Sequence, residues 1–140
     1  MIRISCIALG VWWLAAPCFA GTTSVTNTPP VVAIAELLKN KEQWKSKVIE
    51  VRGYYASDFE RSALYQSKED STGSRARGLW IDPRDPPGRK SDILWKTNGF
   101  IRIVGTFEFQ KGGSGHFNMW PAEITRVQSV ELIARPEERK

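Results

Sequence analysis

The stretch Val48-Ile49-Glu50-Val51-Arg52-Gly53-Tyr54-Tyr55 alternates apolar or small side chains with polar ones. Successive side chains of a strand point to opposite faces, so this alternation predicts a half-buried strand. The residues expected on the core side are Ile49, Val51, Gly53 and Tyr55, and those expected on the opposite side are Glu50, Arg52 and Tyr54.

The segment Phe100–Phe109 repeats the same pattern, with Ile101, Ile103, Gly105, Phe107 and Phe109 on one face. A glycine inside a strand usually marks a bulge, a bend or a close backbone approach. Because Gly53 and Gly105 take equivalent places in the two segments, we expect a sheet that coils strongly, as a small barrel requires.

Weaker strand patterns lie at Ala63–Gln66, Gly78–Ile81 and Ile124–Leu132. Before the first strand, Thr28-Pro29-Pro30 is typical of a helix start, and the apolar residues that follow have helical spacing up to Lys39. Prolines and glycines predict loops at 83–88 and 111–115. The sequence therefore predicts a mainly β fold: a five-stranded barrel or strongly coiled sheet with one N-terminal helix.

The first twenty residues have the pattern of a secretory signal peptide. Arg3 is followed by an apolar run from Ile4 to Ala16, which is shorter than the about 20 residues of a transmembrane helix. Cys18-Phe19-Ala20 offers small residues for cleavage before Gly21. A lipoprotein signal is the rival interpretation, but Pro17 fits poorly before a lipid-bearing cysteine. The expected organisation is a signal peptide at 1–20, a flexible leader at 21–30, one β domain at 31–134 and a charged tail at 135–140.

Both cysteines of the chain, Cys6 and Cys18, lie inside the predicted signal peptide. The mature domain would therefore have no disulfide and no cysteine metal site, although its compartment permits disulfides. Its location is expected to be periplasmic or secreted, with no transmembrane segment left after cleavage. The formal net charge is +5, and the mixture of signs along the chain is typical of an ordinary solvated surface.

The run Leu37-Leu38-Lys39-Asn40, followed by Trp44-Lys45-Ser46-Lys47 and the first strand, resembles the opening of small exported bacterial OB-fold-like domains, many of them uncharacterised. In those domains glycine usually stands at the position of Ser46. The resemblance extends over roughly Val31 to Ile133 and implies an OB-like barrel. OB barrels bind oligonucleotides, oligosaccharides or proteins, so the resemblance implies a fold and not a function.

His116 is the only histidine, and it follows a glycine-rich turn that would expose it. Its chemistry suits a base or a ligand contact. No second group that would orient it for catalysis is evident, so we expect no enzyme activity; a small hydrolase using His116 is the alternative. A zinc site would need further histidine or cysteine ligands, and no cofactor is expected.

Rings and cations on a barrel surface favour binding of extended polar ligands. The candidate binding residues are Arg52, Tyr54, Arg75, Arg77, Arg84, His116 and Trp120. Trp120 has a structural alternative, in which it closes the end of the barrel. The expected function is a binding module for a protein or an extended polar polymer of the cell envelope. Nucleic acid is a further alternative, disfavoured by the predicted export.

Overall fold

The strand predicted at Val48–Tyr55 is the first of five strands in the computed structural model, which describes residues 28–82 and 98–134. The strands are β1 (Val48–Asp58), β2 (Arg61–Tyr65), β3 (Gly78–Ile81), β4 (Gly99–Glu108) and β5 (Glu123–Leu132). Two short helices precede them, α1 (Ile34–Lys39) and α2 (Lys41–Trp44). Single 3₁₀ turns occupy Asp70–Thr72, Arg75–Arg77 and His116–Asn118.

The strands close into a barrel in the order β1-β2-β3-β5-β4. Strands β3 and β5 are parallel, with Trp80 opposite Glu123, and the other neighbouring pairs are antiparallel. This confirms the predicted mainly β class and the small OB-like five-stranded barrel. Among the described residues no helix is long and apolar enough to span a membrane.

The barrel interior is filled by the alternating apolar residues of the strands, as predicted. The largest contributors are Ile49, Val51, Tyr55, Leu64, Leu79, Ile81, Ile101, Ile103, Phe107 and Ile124. Tyr55 keeps a polar contact inside this core: its hydroxyl lies 2.8 Å from the Ser62 hydroxyl, which also lies 2.6 Å from the Ile81 carbonyl oxygen. Burial raises the pKa of Tyr55, so this phenol stays neutral over the physiological range.

The start of the helical region differs from the prediction. Residues 30–32 are extended: the Glu50 amide donates to the Pro30 carbonyl and the Val32 amide donates to the Glu50 carbonyl, both at 2.9 Å. This stretch pairs with β1 by a parallel bridge at Val31, and α1 begins only at Ile34. Backbone pairing along β1 outweighs the helix-start signal of the two prolines. The single predicted helix is instead two short ones, which meet at Asn40.

Ser46, which stands where glycine is usual in the resembling domains, has a φ of 60°. That left-handed conformation is the one that glycine adopts without steric cost. The turn into β1 therefore has a backbone conformation that favours glycine, although serine occupies it.

Glu50 lies on the predicted outer side of β1 but is only 3% exposed. One of its carboxylate oxygens pairs with Arg52 and the other with Arg102, each at 2.7 Å. Burial alone would raise the pKa of Glu50, but the hydrogen bonds and charges of Arg102 and Arg52 outweigh it and hold the pKa below 4.5. The carboxylate therefore stabilises the fold while it is ionised.

Glu50→Gln is expected to lower the free energy of unfolding at neutral pH, because two arginines lose their shared anion. A lowered folded-state pKa gives stability that is present above the unfolded value of about 4.5 and is lost as the pH falls through the folded value. The difference between the wild type and the variant should therefore shrink below about pH 4.5 in urea unfolding. Glu42→Gln, at an exposed site on α2, is the control. A constant difference between pH 7 and the acid range would contradict this role.

Several expectations fall outside the described residues. These are the signal peptide at 1–20, most of the leader at 21–30, the loop at 83–88 with Arg84, and the tail at 135–140.

Candidate functional site

A second, smaller core lies on the outer face of β1, β2 and β3. Its strand residues alternate with those that fill the barrel, and they are Tyr54, Ala56, Ala63, Tyr65 and Trp80. Trp120 covers them from the β4–β5 loop (residues 109–122) and is 1% exposed. Its ring lies 6.1 Å from that of Tyr65, edge to face, and 5.8 Å from that of Trp80. The loop is therefore packed on the sheet as part of the fold.

Local backbone geometry fixes the β4–β5 loop in this place. Ser114 and Trp120 exchange backbone hydrogen bonds of 2.8 and 3.2 Å across its tip. Gly115 has a φ of 67°, and a Cβ added there would lie closer than 3.0 Å to the Trp80 ring. Because only glycine permits this approach, the loop can lie directly on β3. The next residues, including Phe117 with a φ of 54°, then project to solvent.

A groove of about 530 Å³ lies between the β4–β5 loop and the β1–β2 turn. We call it the hairpin groove. It is lined by Ser57, Asp58, Phe59, Glu60, Arg61, Ser62, Trp80, Asp82, His116 and Phe117. Phe59, at the tip of the β1–β2 turn, is 91% exposed, and Phe117, on the β4–β5 loop, is 71% exposed. Two large apolar rings are therefore exposed to solvent in the same groove. Exposed apolar residues are usually scattered singly over a surface, and a group of them indicates an interaction site.

Aromatic stacking orders the wall of the hairpin groove on the loop side. The His116 ring is stacked on Trp80 at 6.1 Å with an interplanar angle of 19°. The Phe117 ring lies 4.1 Å from His116. Since Trp80 is itself packed against the buried Trp120, this row of rings is anchored in the second core. Anchored rings lose little conformational entropy when a ligand packs on them.

Carboxylates dominate the charged groups of the hairpin groove. Among the described residues that line it, Asp58, Glu60 and Asp82 face a single guanidinium, that of Arg61. Arg61 forms an ion pair with Asp58 and donates a hydrogen bond of 2.6 Å to the Ser71 carbonyl. This cation is thus committed to internal contacts.

A neighbouring cavity of about 330 Å³ extends the hairpin groove along the β4–β5 loop. The two share Trp80, Asp82, His116 and Phe117, and the second adds Gln110, Gly115, Asn118 and Glu123. The Gly115 amide donates to the Glu123 carboxylate at 3.3 Å. The two cavities therefore share the wall formed by Trp80, Asp82, His116 and Phe117.

The structure brings only some of the predicted site residues to the hairpin groove. His116 lines it, whereas Trp120 is buried against Tyr65 and Trp80 on the outer face of the sheet, outside the barrel core. Arg75 contacts the Met119 sulfur on the β4–β5 loop but is not among the lining residues.

The other predicted residues lie elsewhere. Arg77 pairs with Asp70 at 3.2 Å and lines a separate cavity beside α1. Arg52 belongs to the Glu50 ion pairs, and Tyr54 packs edge to face on Phe100 at 5.5 Å. These three side chains therefore do not share a surface with His116.

Phe59, Phe117 and Trp80 are groove residues that the sequence interpretation did not select. A signal was present at Phe59, where one large ring interrupts the polar turn Ser57-Asp58-Phe59-Glu60-Arg61. An apolar ring at a turn tip cannot reach a core, so it points to a contact surface. Within residues 28–82 and 98–134, acidic and histidine side chains form no cluster that could hold a metal ion.

No protein-family model matches this sequence, and no curated protein matches it. Among solved structures, the chain is similar to one described as an aspartyl-tRNA synthetase from Leishmania major Friedlin, with a TM-score of 0.50 and 13% identity. The match covers 84% of this chain and 23% of that one, so the chain spans under a quarter of the similar protein. At this identity the likeness shows the fold alone.

Proposed function

We propose that this chain is an exported binding module, without enzyme activity, that holds a segment of a protein or an extended polar polymer in the hairpin groove. The observation that supports it best is the exposure of Phe59 and Phe117 in one groove, beside the Trp80–His116 stack. Aromatic side chains are enriched at protein interfaces, and a few such anchors supply most of the binding energy. Export is predicted by the first twenty residues, and it would place the partner in the cell envelope.

Binding is favoured over catalysis by the surroundings of His116. The contacts described for its ring are with Trp80 and Phe117. A general base works best when a second polar group fixes its orientation, as the carboxylate does in a catalytic triad. His116 is instead stacked on Trp80 and packed against the tilted Phe117 ring, an arrangement that suits a contact surface.

Nucleic acid is disfavoured as the ligand, although the similar chain is described as an aspartyl-tRNA synthetase. OB barrels bind oligonucleotides over strands 2 and 3 and between the loops at that end. In this chain Trp120 buries much of that face, and the adjoining groove is lined by Asp58, Glu60 and Asp82. Phosphates would meet carboxylates there, whereas nucleic-acid sites are positively charged.

Phe59→Ala and Phe117→Ala should each weaken ligand binding about tenfold or more while leaving the fold intact, because exposed rings contribute contact area and little stability. The measurement is a titration of the isotope-labelled protein with envelope glycans and peptides, followed by amide chemical shifts. Shifts should concentrate at residues 57–62, 80–82 and 115–118.

Leu132→Ala is the matched control, because Leu132 is also an exposed apolar residue, at 56%, and lies on β5 away from the groove. Arg77→Ala serves as a second control, since its guanidinium lines a different cavity. Ligand shifts that cluster around Arg77, or unchanged affinity in both phenylalanine variants, would remove the hairpin groove as the binding site.

A further inference from the structure

Residues 39–47 form a second surface, which shares no residue with the hairpin groove. They span the end of α1, the helix α2 and the turn into β1, and they include four lysines and a single carboxylate, that of Glu42. We call the four lysines the lysine surface: Lys39, Lys41, Lys45 and Lys47. Within the part of the chain that the structure describes, none of them forms an ion pair.

Two half-buried rings hold three of these lysines in place. Lys41 and Lys45 are one helical turn apart, and their ammonium nitrogens lie 5.9 and 5.0 Å from the centre of the Phe109 ring. The ammonium nitrogen of Lys47 lies 5.5 Å from the centre of the Trp44 ring. Lysine stems cover apolar surface in this way while their charges stay in water. The attraction between cation and ring therefore keeps these charges grouped on one side of the barrel.

The lysine surface borders a cavity of about 410 Å³ at the corner between α1 and α2. Lys39 and Lys41 line this cavity, together with the side-chain amides of Asn40 and Gln43 and the ring of Phe109. All of its lining residues belong to residues 38–43 or are Phe109, within the described part of the chain. The cavity therefore offers ammonium and amide groups to a ligand side by side.

The carboxylates around the lysine surface do not neutralise it. Glu36 accepts a hydrogen bond of 2.7 Å from the Asn40 side chain, and Glu108 lies 3.7 Å from the Arg126 guanidinium. Glu42 is the carboxylate that lines the cavity itself. Counting these three carboxylates against the four lysines and Arg126 leaves two positive charges.

We infer that the lysine surface binds a linear anionic polysaccharide. Its carboxylate or sulfate groups would lie against Lys39, Lys45 and Lys47, and its hydroxyl groups against the side-chain amides of the cavity. Lysine suits this ligand because its ammonium is a mobile point charge that pairs with anions of differing geometry. Amide side chains both donate and accept hydrogen bonds, as hydroxyl groups do. This site is separate from the hairpin groove and does not rest on the function proposed for it.

Other polyanions fit the lysine surface less well. Single-stranded nucleic acid binds by stacking its bases on ring faces, but Trp44 and Phe109 pack against the barrel core and have lysine ammonium groups over them. Extended peptides commonly pair with a free strand edge, whereas this cavity is built on two helices. An anionic bilayer binds helices that insert apolar side chains, and both rings here are half-buried.

The test measures how the purified protein binds polygalacturonate, a linear glycan with one carboxylate on each sugar. The comparison probes are neutral dextran, polyglutamate and oligothymidylate. In about 50 mM NaCl we expect polygalacturonate to bind at least about tenfold more tightly than each of the other three. Its affinity should fall as NaCl rises to about 500 mM, because the contacts are between charges exposed to solvent.

Lys39→Gln combined with Lys45→Gln should weaken polygalacturonate binding about tenfold, because two ammonium groups leave the lysine surface. Lys41 is kept in these variants because its ammonium donates to a backbone carbonyl at 3.0 Å. Lys68→Glu is the matched control: it lowers the net charge by the same amount at an exposed site between β2 and β3, and it should change affinity by less than about twofold. Glu42→Gln should strengthen binding, since it removes the carboxylate from the cavity.

An equal loss in Lys68→Glu and in the double lysine variant would show that affinity follows net charge alone and would overturn this site. Polyglutamate or oligothymidylate binding as tightly as polygalacturonate would overturn the ligand class, as would no measurable binding of polygalacturonate at the lower salt concentration. Phe59→Ala and Phe117→Ala should leave this binding unchanged. A loss in those two variants would place the glycan in the hairpin groove, which would support the proposed function and overturn the lysine surface as the site.

Discussion

Replacing Trp120 with alanine is expected to lower the free energy of unfolding by about 3 to 5 kcal/mol, the range of large-to-small changes at buried aromatic residues. Trp120 is 1% exposed and packs on Tyr65 and Trp80. Its removal leaves a cavity on the outer face of the sheet, beside Tyr65 and Trp80. Urea unfolding followed by circular dichroism measures the loss.

Phe117→Ala is the control for Trp120→Ala, because it removes a ring from the same loop at a position that is 71% exposed. A surface ring of this kind should change stability by under about 0.5 kcal/mol. Trp120→Phe should lie between the two, since the buried indole Nε1 has no hydrogen-bond partner within the described residues and its loss leaves no acceptor unpaired. A Trp120→Ala protein within about 1 kcal/mol of the wild type would show that the second core is not a core.

The predictable part of the fold came from side-chain alternation. At Val48–Tyr55 and at Phe100–Phe109 the period of two assigned the inner face correctly, because burial inside a barrel admits only apolar or small residues there. The predicted helix start at Thr28–Pro30 was wrong because the conformation of this segment depends on residues distant in the sequence. The backbone of residues 30–32 bonds to Glu50, and a helix signal cannot reveal that partner.

The candidate site was less predictable, because alternation shows that two residues lie on opposite faces but not what covers the outer one. Tyr54 was correctly placed outside the barrel, yet the β4–β5 loop makes that face a second core. The same loop folds Trp120 under and Phe117 outward, three residues apart, through the left-handed backbone at Phe117 and Asn118. This conformation is uncommon for phenylalanine, so composition gave no sign of it at Phe117.

The Glu50 ion pairs illustrate the same limit. A glutamate between two hydrophobic strand residues is predicted to face solvent, and Glu50 does lie on the outer side. Arg102 is its non-local partner, reached only because Arg52 and Arg102 are opposite each other in the β1–β4 register. The burial of Glu50 thus depends on the pairing of two strands whose arginines are 50 residues apart in the chain. The periodicity of one strand alone cannot predict it.

Gly53→Val is expected to cost about 2 to 4 kcal/mol of unfolding free energy, at the upper end of what overpacking a core costs. A Cβ added at Gly53 would lie closer than 3.0 Å to the Tyr65 carbonyl oxygen and 3.1 Å from the Leu64 Cγ. The first of these neighbours is backbone of the paired strand β2, which cannot move without disturbing the barrel. Gly53→Ala should lose most of the same free energy, because the first added carbon already makes the clash.

Gln128→Val, at an exposed strand position of β5, is the control and should be neutral or slightly stabilising, since valine suits strands. Thermal and urea unfolding of the three variants compare them directly. If both Gly53 variants melt at the same temperature as Gln128→Val, the space between Gly53 and the Tyr65 carbonyl is larger than in the structure.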